Sequence, residues 1–367
     1  MAYTDIDDPT AYFQTKLYTG NSAADDANLT TSQALTFDGN SDMQPDLLWF
    51  KRRDGADHHL WFDVIRGRTK GYYSNLTQAE DNLANSITSF DSDGFTLGND
   101  TGTGGTINKN SETYVAWGWK AGTAFSNDAS GTGIGNTDSA GSVNDAAGFS
   151  IVGYTGAGSS TDIEIKHGLS TVPQVIITKN RDDANHWAVF HHKNTSAPQT
   201  DFLKLSANTA TTDDADIWND TAPTSAIFTA GDHSSSNRAG DSFIAYCFSE
   251  KQGYSKFGSY TGNGNADGAF AHLGFKPAWI MIKSAATGVW RMWDNKRAIF
   301  NPNRKNFQAQ SNGAEYSDAA IDIDFMSNGF KTRSTDSSYN GSNVAYVYLA
   351  FAENPLVTST GIPGLAK

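Results

Sequence analysis

The residues able to do chemistry fall into a few small groups. Lys51, Arg52, Arg53, Arg66, Arg68 and Lys70 form a basic cluster in an otherwise acidic chain. Cations at this density could dock an acidic partner surface or a phosphate-bearing glycan. They could equally be engaged in ion pairs with Asp54, Asp57 and Asp63, and the sequence leaves both readings open. Lys296, Arg297, Arg304 and Lys305 make a weaker analogue. Trp290 and Trp293 stand beside Asp294, an aromatic–acid combination suited to sugars, although tryptophan at this place is first of all packing material.

Histidine occurs as His58-His59 and His191-His192, with His186 nearby. Neighbours on a strand point to opposite faces, so neither pair chelates one ion, and no metal site is expected. Asp213-Asp214-Ala215-Asp216 and Asp322-Ile323-Asp324 could offer oxygen ligands to calcium, but neither has EF-hand spacing, and a solvated acidic loop is the simpler reading. Cys247, the single cysteine, lies in an alternating apolar run and reads as a packed thiol rather than a nucleophile. Gly-x-Ser-x-Gly, His-Glu-x-x-His, Cys-x-x-Cys and P-loop strings are absent, so no catalytic residues are assigned.

The elements that must hold these residues are written three times. Tyr-Thr-Gly recurs at Tyr18-Thr19-Gly20, Tyr154-Thr155-Gly156 and Tyr260-Thr261-Gly262. A proline then opens an apolar run ending in lysine: Pro45 to Lys51, Pro173 to Lys179 and Pro277 to Lys283. A tryptophan segment follows at Trp61, Trp187 and Trp290, and an aromatic run opening at Tyr114, Phe243 or Tyr346 closes each copy. From the proline to that closing aromatic is 69, 70 and 69 positions, an interval that composition bias does not produce. Asp93-Gly94-Phe95 and Asn328-Gly329-Phe330 mark the outer copies; the middle copy has lost this string or replaced it with Ala230-Gly231-Asp232.

Period-two alternation and Val, Ile and aromatic runs bounded by Gly/Asn/Asp clusters indicate strands, with helical spacing only near residues 78–83. The expected fold is all-β, three tandem β-sandwich (jelly-roll-like) repeat domains. The expected boundaries are an arm at 1–13, copies at 14–124, 148–252 and 253–354, a Gly/Ser/Asn-rich linker at 125–147, flexible or draped over the surface, and a tail at 355–367.

A net charge of −13 disfavours nucleic acid and anionic lipid. No run of about 18 apolar residues occurs and the N-terminus is acidic, so neither membrane insertion nor a signal peptide is expected.

Tyr18-Thr19-Gly20-Asn21, Tyr260-Thr261-Gly262-Asn263-Gly264, the lysine-ended proline runs and the stretch from Ser89 to Gly98 resemble a repeated domain of virion structural proteins of marine tailed phages, including those of cyanobacteria. The opening from Asp5 to Pro9 and on to Gly20 resembles the start of such proteins, and the likeness covers about residues 1–355. It implies a non-enzymatic place in the particle as a tail fibre, tail-associated or head-decorating protein. Its partners would be other virion proteins, made with it in the host cytoplasm. On this expectation copy one and the arm anchor the chain, copies two and three project as a rigid pair, and three chains form a homotrimer. The second reading is a carbohydrate- or receptor-binding module for the host surface glycan, with Trp290, Trp293 and the basic cluster as contacts; a polysaccharide depolymerase is the third.

Overall fold

Every lysine-ended apolar run and every closing aromatic run forms a strand, and each such pair lies side by side at the centre of a large antiparallel sheet. In the computed structural model, residues 3–22, 31–100, 106–158 and 162–363 are described. Residues 1–2 of the arm, 23–30 and 101–105 of copy one, 159–161 of copy two and 364–367 of the tail lie outside them. The chain is all-β, with several antiparallel sheets and only short helical segments.

In the first copy six strands lie in the order Phe13–Thr19, Thr113–Trp119, Leu47–Arg52, Leu60–Asp63, Lys70–Tyr73 and Asp81–Asn82. The third copy repeats this order with Ser255–Thr261, Ala345–Pro355, Phe275–Ser284, Arg291–Asp294, Lys305–Gln308 and Tyr316–Ser317. A small sheet accompanies each: Gln33–Leu35, Gly94–Leu97 and Ile87–Asp91 in the first copy, and Phe270–His272, Gly329–Thr332 and Ile323–Met326 in the third. Residues 78–83, where helical spacing was expected, instead contribute the short edge strand Asp81–Asn82.

The middle copy differs in two ways. Its large sheet has eight strands, because Thr123–Asn127 and Ser139–Asn144 add beyond Phe149–Thr155. The stretch expected as a linker therefore contributes two strands with a short helix, Ala129–Thr132, between them, and its second strand is held by a continuous ladder from Ser139↔Tyr154 to Asn144↔Phe149. Low apolar content misled here because an edge strand is held mainly by backbone hydrogen bonds, which composition does not record. The small sheet of this copy has two strands, Ile163–Lys166 and Ile227–Ala230. In place of a third strand, the helix Ala215–Trp218 delivers Ile217 and Trp218 to the core.

Pairing also corrects the search for the missing Asp/Asn-Gly-Phe string. Ile165 pairs with Phe228 as Leu35 pairs with Phe95, so Phe228 is the counterpart and Ala230-Gly231-Asp232 is not. Gly94 is needed in the first copy because it turns a hairpin at φ +103° with Leu35 O 2.0 Å from where a Cβ would sit. Without that hairpin the middle copy tolerates Ile227.

Between each large sheet and its small sheet lies an apolar core. Leu48, Phe50, Phe62 and Phe95 belong to the first, Ile176, Phe190, Trp218 and Phe228 to the second, and Ile280, Trp293, Tyr348 and Phe330 to the third. A fourth core joins them. The other faces of the three large sheets meet around Trp49, Trp61, Trp117, Trp187, Trp279 and Trp290, with Val115, Ile244 and Val347 beside them. Each large sheet is thus buried on both faces, the condition that produces near-continuous apolar runs rather than clean alternation.

The arm is part of this body. Ile6 enters the central core, Tyr3 Oη donates to Gly274 O at 2.6 Å, and Thr4 Oγ1 donates to Gln252 O at 2.6 Å. Asp7 accepts a 2.6 Å hydrogen bond from Ser359 N, tying the arm to the tail. The expectation of a projecting pair hinged on copy one does not fit this packing, because copy one contributes Trp49, Trp61 and Trp117 to the shared core.

Candidate functional site

The repeated tripeptide serves as a latch. Tyr18, Tyr154 and Tyr260 each donate their hydroxyl to a carbonyl of the loop before the closing strand, at Ile107, Ser236 and Tyr339. The glycine lies so close to that loop that a Cβ at Gly20 would sit 2.3 Å from Lys109 O, and one at Gly156 would sit 2.2 Å from Arg238 O. Asn108, Asn237 and Asn340 complete the latch by accepting from Asn21 N, Ala157 N and Asn263 N at 2.9, 2.7 and 3.1 Å. Sequence reading missed these asparagines, although each stands six positions before its closing aromatic, Tyr114, Phe243 or Tyr346.

The basic cluster is taken up by ion pairs and burial. Arg52 pairs with Asp54 at 2.9 Å and Glu112 at 2.7 Å, Arg68 donates to Ile87 O at 3.3 Å, and Lys70 lies 3.9 Å from Glu80. Arg53 reaches into the third copy, with Nε 3.0 Å from Glu315 Oε2. Arg66 is buried against Asp63 at 2.6 Å, and its guanidinium lies 4.1 Å above the Tyr72 ring. Lys51 is 1% exposed and donates to Arg52 O at 2.8 Å. Of the analogue in copy three, Arg297 pairs with Asp294, Arg304 with Asp322 and Lys305 with Glu315. Trp290 and Trp293 are fully buried, so neither ring can receive a ligand from solvent. Strand pairing matches Trp187 and Trp290 with His59 rather than Trp61, because each stands four residues before Asp63, His191 or Asp294.

These three residues, Asp63, His191 and Asp294, mark the junctions between copies. Asp63 Oδ1 accepts from Ile65 N and Arg66 N, while Oδ2 accepts from Arg66 Nε and, at 2.7 Å, from Tyr246 Oη of the second copy. Arg66 lies 3.6 Å from Glu80, which binds Arg181 of the second copy by side chain at 3.0 Å and by backbone at 2.9 Å. The junction of copies three and one has the same plan. Asp294 Oδ1 accepts from Lys296 N and Arg297 N, and Oδ2 accepts from Arg297 Nε at 2.5 Å and from Trp117 Nε1 of the first copy at 3.1 Å. Arg297 lies 3.5 Å from Glu315, whose N–H donates to Arg53 O at 2.8 Å. Burial opposes ionisation of Glu315, but Arg297, Arg53 and Lys305 together hold its carboxyl below the usual range.

The junction of copies two and three is the same network in neutral form. His191 replaces the aspartate, Asn194 the arginine, Thr211 the glutamate and Ala285 the partner arginine. His191 Nδ1 accepts from Lys193 N at 3.1 Å, so Nε2 carries the ring hydrogen and donates to Tyr348 O of the third copy at 3.2 Å. Thr211 Oγ1 donates to Asn194 Oδ1, and Thr211 N donates to Ala285 O, both at 2.8 Å. Desolvation pushes His191 down to about 3. The junctions close a ring in which each copy grips the next through equivalent positions.

Two of the repeated lysines, Lys51 and Lys179, reach a neighbouring copy. Lys51 stands 5.2 Å from the Phe307 ring of copy three, and Lys179 donates to Asn180 O at 2.9 Å and to Thr77 O of copy one at 3.3 Å. Lys283 donates to Ala286 O at 3.0 Å. Burial lowers the three to about 7, 7 and 8.

The remaining candidates are structural. His59 accepts from Trp49 Nε1 at 2.8 Å, His58 faces Asn75, and His192 faces Phe257 O. Cys247 is buried and its thiol is pushed up to about 12 by desolvation. Asp214 caps the helix Ala215–Trp218, and Asp322 and Asp324 pair with Arg304 and Arg333. Among the described residues no three His, Cys, Asp or Glu side chains group as metal ligands, and no helix is long and apolar enough to cross a membrane.

Residues 8–355 match the family described as a domain of unknown function, DUF7483, and the chain belongs to that family. The match runs across all three copies. No curated protein and no solved structure matches the chain.

Proposed function

We propose that the chain is a non-enzymatic structural component of a tailed-phage virion, a fibre, tail-associated or head-decorating part, built of three tandem β-sandwich units. The observation that carries this reading is the closed ring of junctions around one aromatic core. Its chemically capable side chains, Asp63, Arg66, Asp294, Arg297, Lys51 and Lys179, lie at the contacts between copies. A rigid block of this kind suits a repeated position in a symmetric assembly, where it meets other virion proteins through its outer faces. Three large sheets already pack together inside one chain, where the resemblance implied a homotrimer. The resemblance of the Tyr-Thr-Gly and proline-run motifs to phage structural proteins supplies the particle.

The test is mass spectrometry and electron cryomicroscopy of purified particles from a phage that encodes the chain. The expected result is stoichiometric incorporation and a compact three-lobed density on tail or capsid. Absence from the particles overturns the reading, and release of reducing ends from host polysaccharide by the purified chain overturns its non-enzymatic part.

A further inference from the structure

The middle copy carries a cleft with a chemistry opposite to that of the chain as a whole. It has a volume of about 390 Å³ and is lined by Asn185, His186, Lys204, His233 and Ser234, with Thr77 of copy one closing one side. That size lies in the range of small-molecule sites. In a chain with 40 acidic residues, no carboxylate is part of this lining. The nearest one identified is Asp214, 3.8 Å from His233 Nε2, with Asp216 and Asp232 also acting on that histidine.

The lining is mostly polar, with Lys204 as its permanent cation. Lys204 stacks its ammonium 5.1 Å from the Phe202 ring and forms no ion pair among the described residues. Asn185 accepts from Ser234 Oγ through Oδ1, which leaves its amide Nδ2 buried with no hydrogen-bond partner among the described residues. His186 engages Ser206 through Nδ1 at 2.9 Å. His233 Nδ1 accepts from Ser235 N, which places the ring hydrogen on Nε2. Burial and, after it, the Lys204 and Lys179 cations oppose ionisation of His186.

The sister copies lack the lysine. Strand register places Tyr73 and Gln308 where the middle copy has Lys204, whereas copy one keeps a histidine, His58, at the place of His186 and copy three has Val289 there. The cleft is thus a property of the copy that departs most from the repeat.

We propose that this cleft binds a tetrahedral oxyanion, sulfate or phosphate, either free or as an ester on a saccharide. Lys204 supplies the charge, and the two imidazoles add charge as pH falls. The site stands independently of the virion reading, because it rests on the lining of the cleft alone.

The experiment is an NMR titration of the full chain, following the imidazole signals of His186 and His233, with sodium sulfate, sodium phosphate, glucose 6-sulfate and, as neutral control, glucose. Ionic strength is held constant with chloride. Saturable shifts with the anions and none with glucose are expected, stronger at pH 5.5 than at pH 7.5. Lys204→Met, which keeps the stem over Phe202, should weaken binding about tenfold, and Lys204→Arg should restore it. If Lys204→Met does not fold, Lys204→Gln gives the same reading. Tighter binding of the sugar ester than of sulfate identifies a glycan as the source, and equal binding identifies the free ion. No saturable shift with any anion, or unchanged affinity in Lys204→Met with intact folding, overturns the proposal.

Discussion

Asp63 and Arg66 show how a buried ion pair can fasten two parts of a chain rather than catalyse. Both side chains have no exposure, and Tyr246 of the next copy completes the carboxylate's hydrogen bonds. Asp63→Ala would leave the Arg66 guanidinium buried without its counter-ion, and urea unfolding should show a loss of about 3–5 kcal/mol. Tyr246→Phe removes one hydrogen bond to a charged group and should cost about 2 kcal/mol. Asp63→Ala combined with Arg66→Met should recover part of the single-mutant loss, since no charge is then stranded; a double variant worse than the sum would contradict this account. The neutral junction makes a prediction of its own. His191 is held down to about 3 when folded, against roughly 6.5 in the unfolded chain. Between these values the unfolded chain binds more protons, so stability is full above about pH 6.5 and falls as pH is lowered through that window. Urea midpoints at pH 5 and pH 7 should therefore differ less in His191→Gln than in the native chain. At this scale the sequence was half legible. Ion pairing was one of its two readings of the basic cluster, but Glu80, Glu112 and Glu315 were invisible as partners, because Glu315 lies 262 positions from Arg53.

At the scale of elements, the strands were legible and the linker was not. Proline entry, alternation and aromatic closure place the central strands of all three large sheets, whereas Thr123–Asn127 and Ser139–Asn144 carry few apolar residues to announce them. Their ladder nevertheless runs from Asn127↔Ser139 through Val143↔Ser150 into the body of the sheet. Limited proteolysis distinguishes a ladder from a connector. Residues 123–144 should resist a broad-specificity protease under conditions where a flexible Gly/Ser tether is cut within minutes, and no fragment ending inside this stretch should appear on a denaturing gel. Early cleavage inside 125–147 would restore the linker. A subtler signal was present in the closing runs. Tyr114-Val115-Ala116-Trp117-Gly118-Trp119 is apolar at both parities, and an antiparallel strand with one face in water would not be. Tyr114 and Ala116 face the core of their own copy, while Val115, Trp117 and Trp119 face the shared core.

That double burial decides how the molecule as a whole should behave. Three independent tandem units would each unfold on their own, and a chain of beads would be extended. Here Trp49, Ile177 and Met281, at equivalent positions of the three copies, are 2%, 2% and 1% exposed, because each is covered by the other copies. Removing one copy would expose the inner face of the other two, so the copies cannot unfold independently without losing that burial. A single calorimetric transition is therefore expected, with the van't Hoff and calorimetric enthalpies in agreement. Trp279→Ala, in copy three, should lower that one transition as a whole, by about 3–5 kcal/mol, instead of splitting off a third of it. Small-angle scattering supplies an independent check, since a compact body of this length has a radius of gyration of about 21 Å. Two or three resolved transitions, or a markedly larger radius, would mean that the copies behave as beads and that the shared core does not hold them in solution. The chain would then be no rigid block, although the oxyanion cleft, with most of its lining in the middle copy, would remain testable.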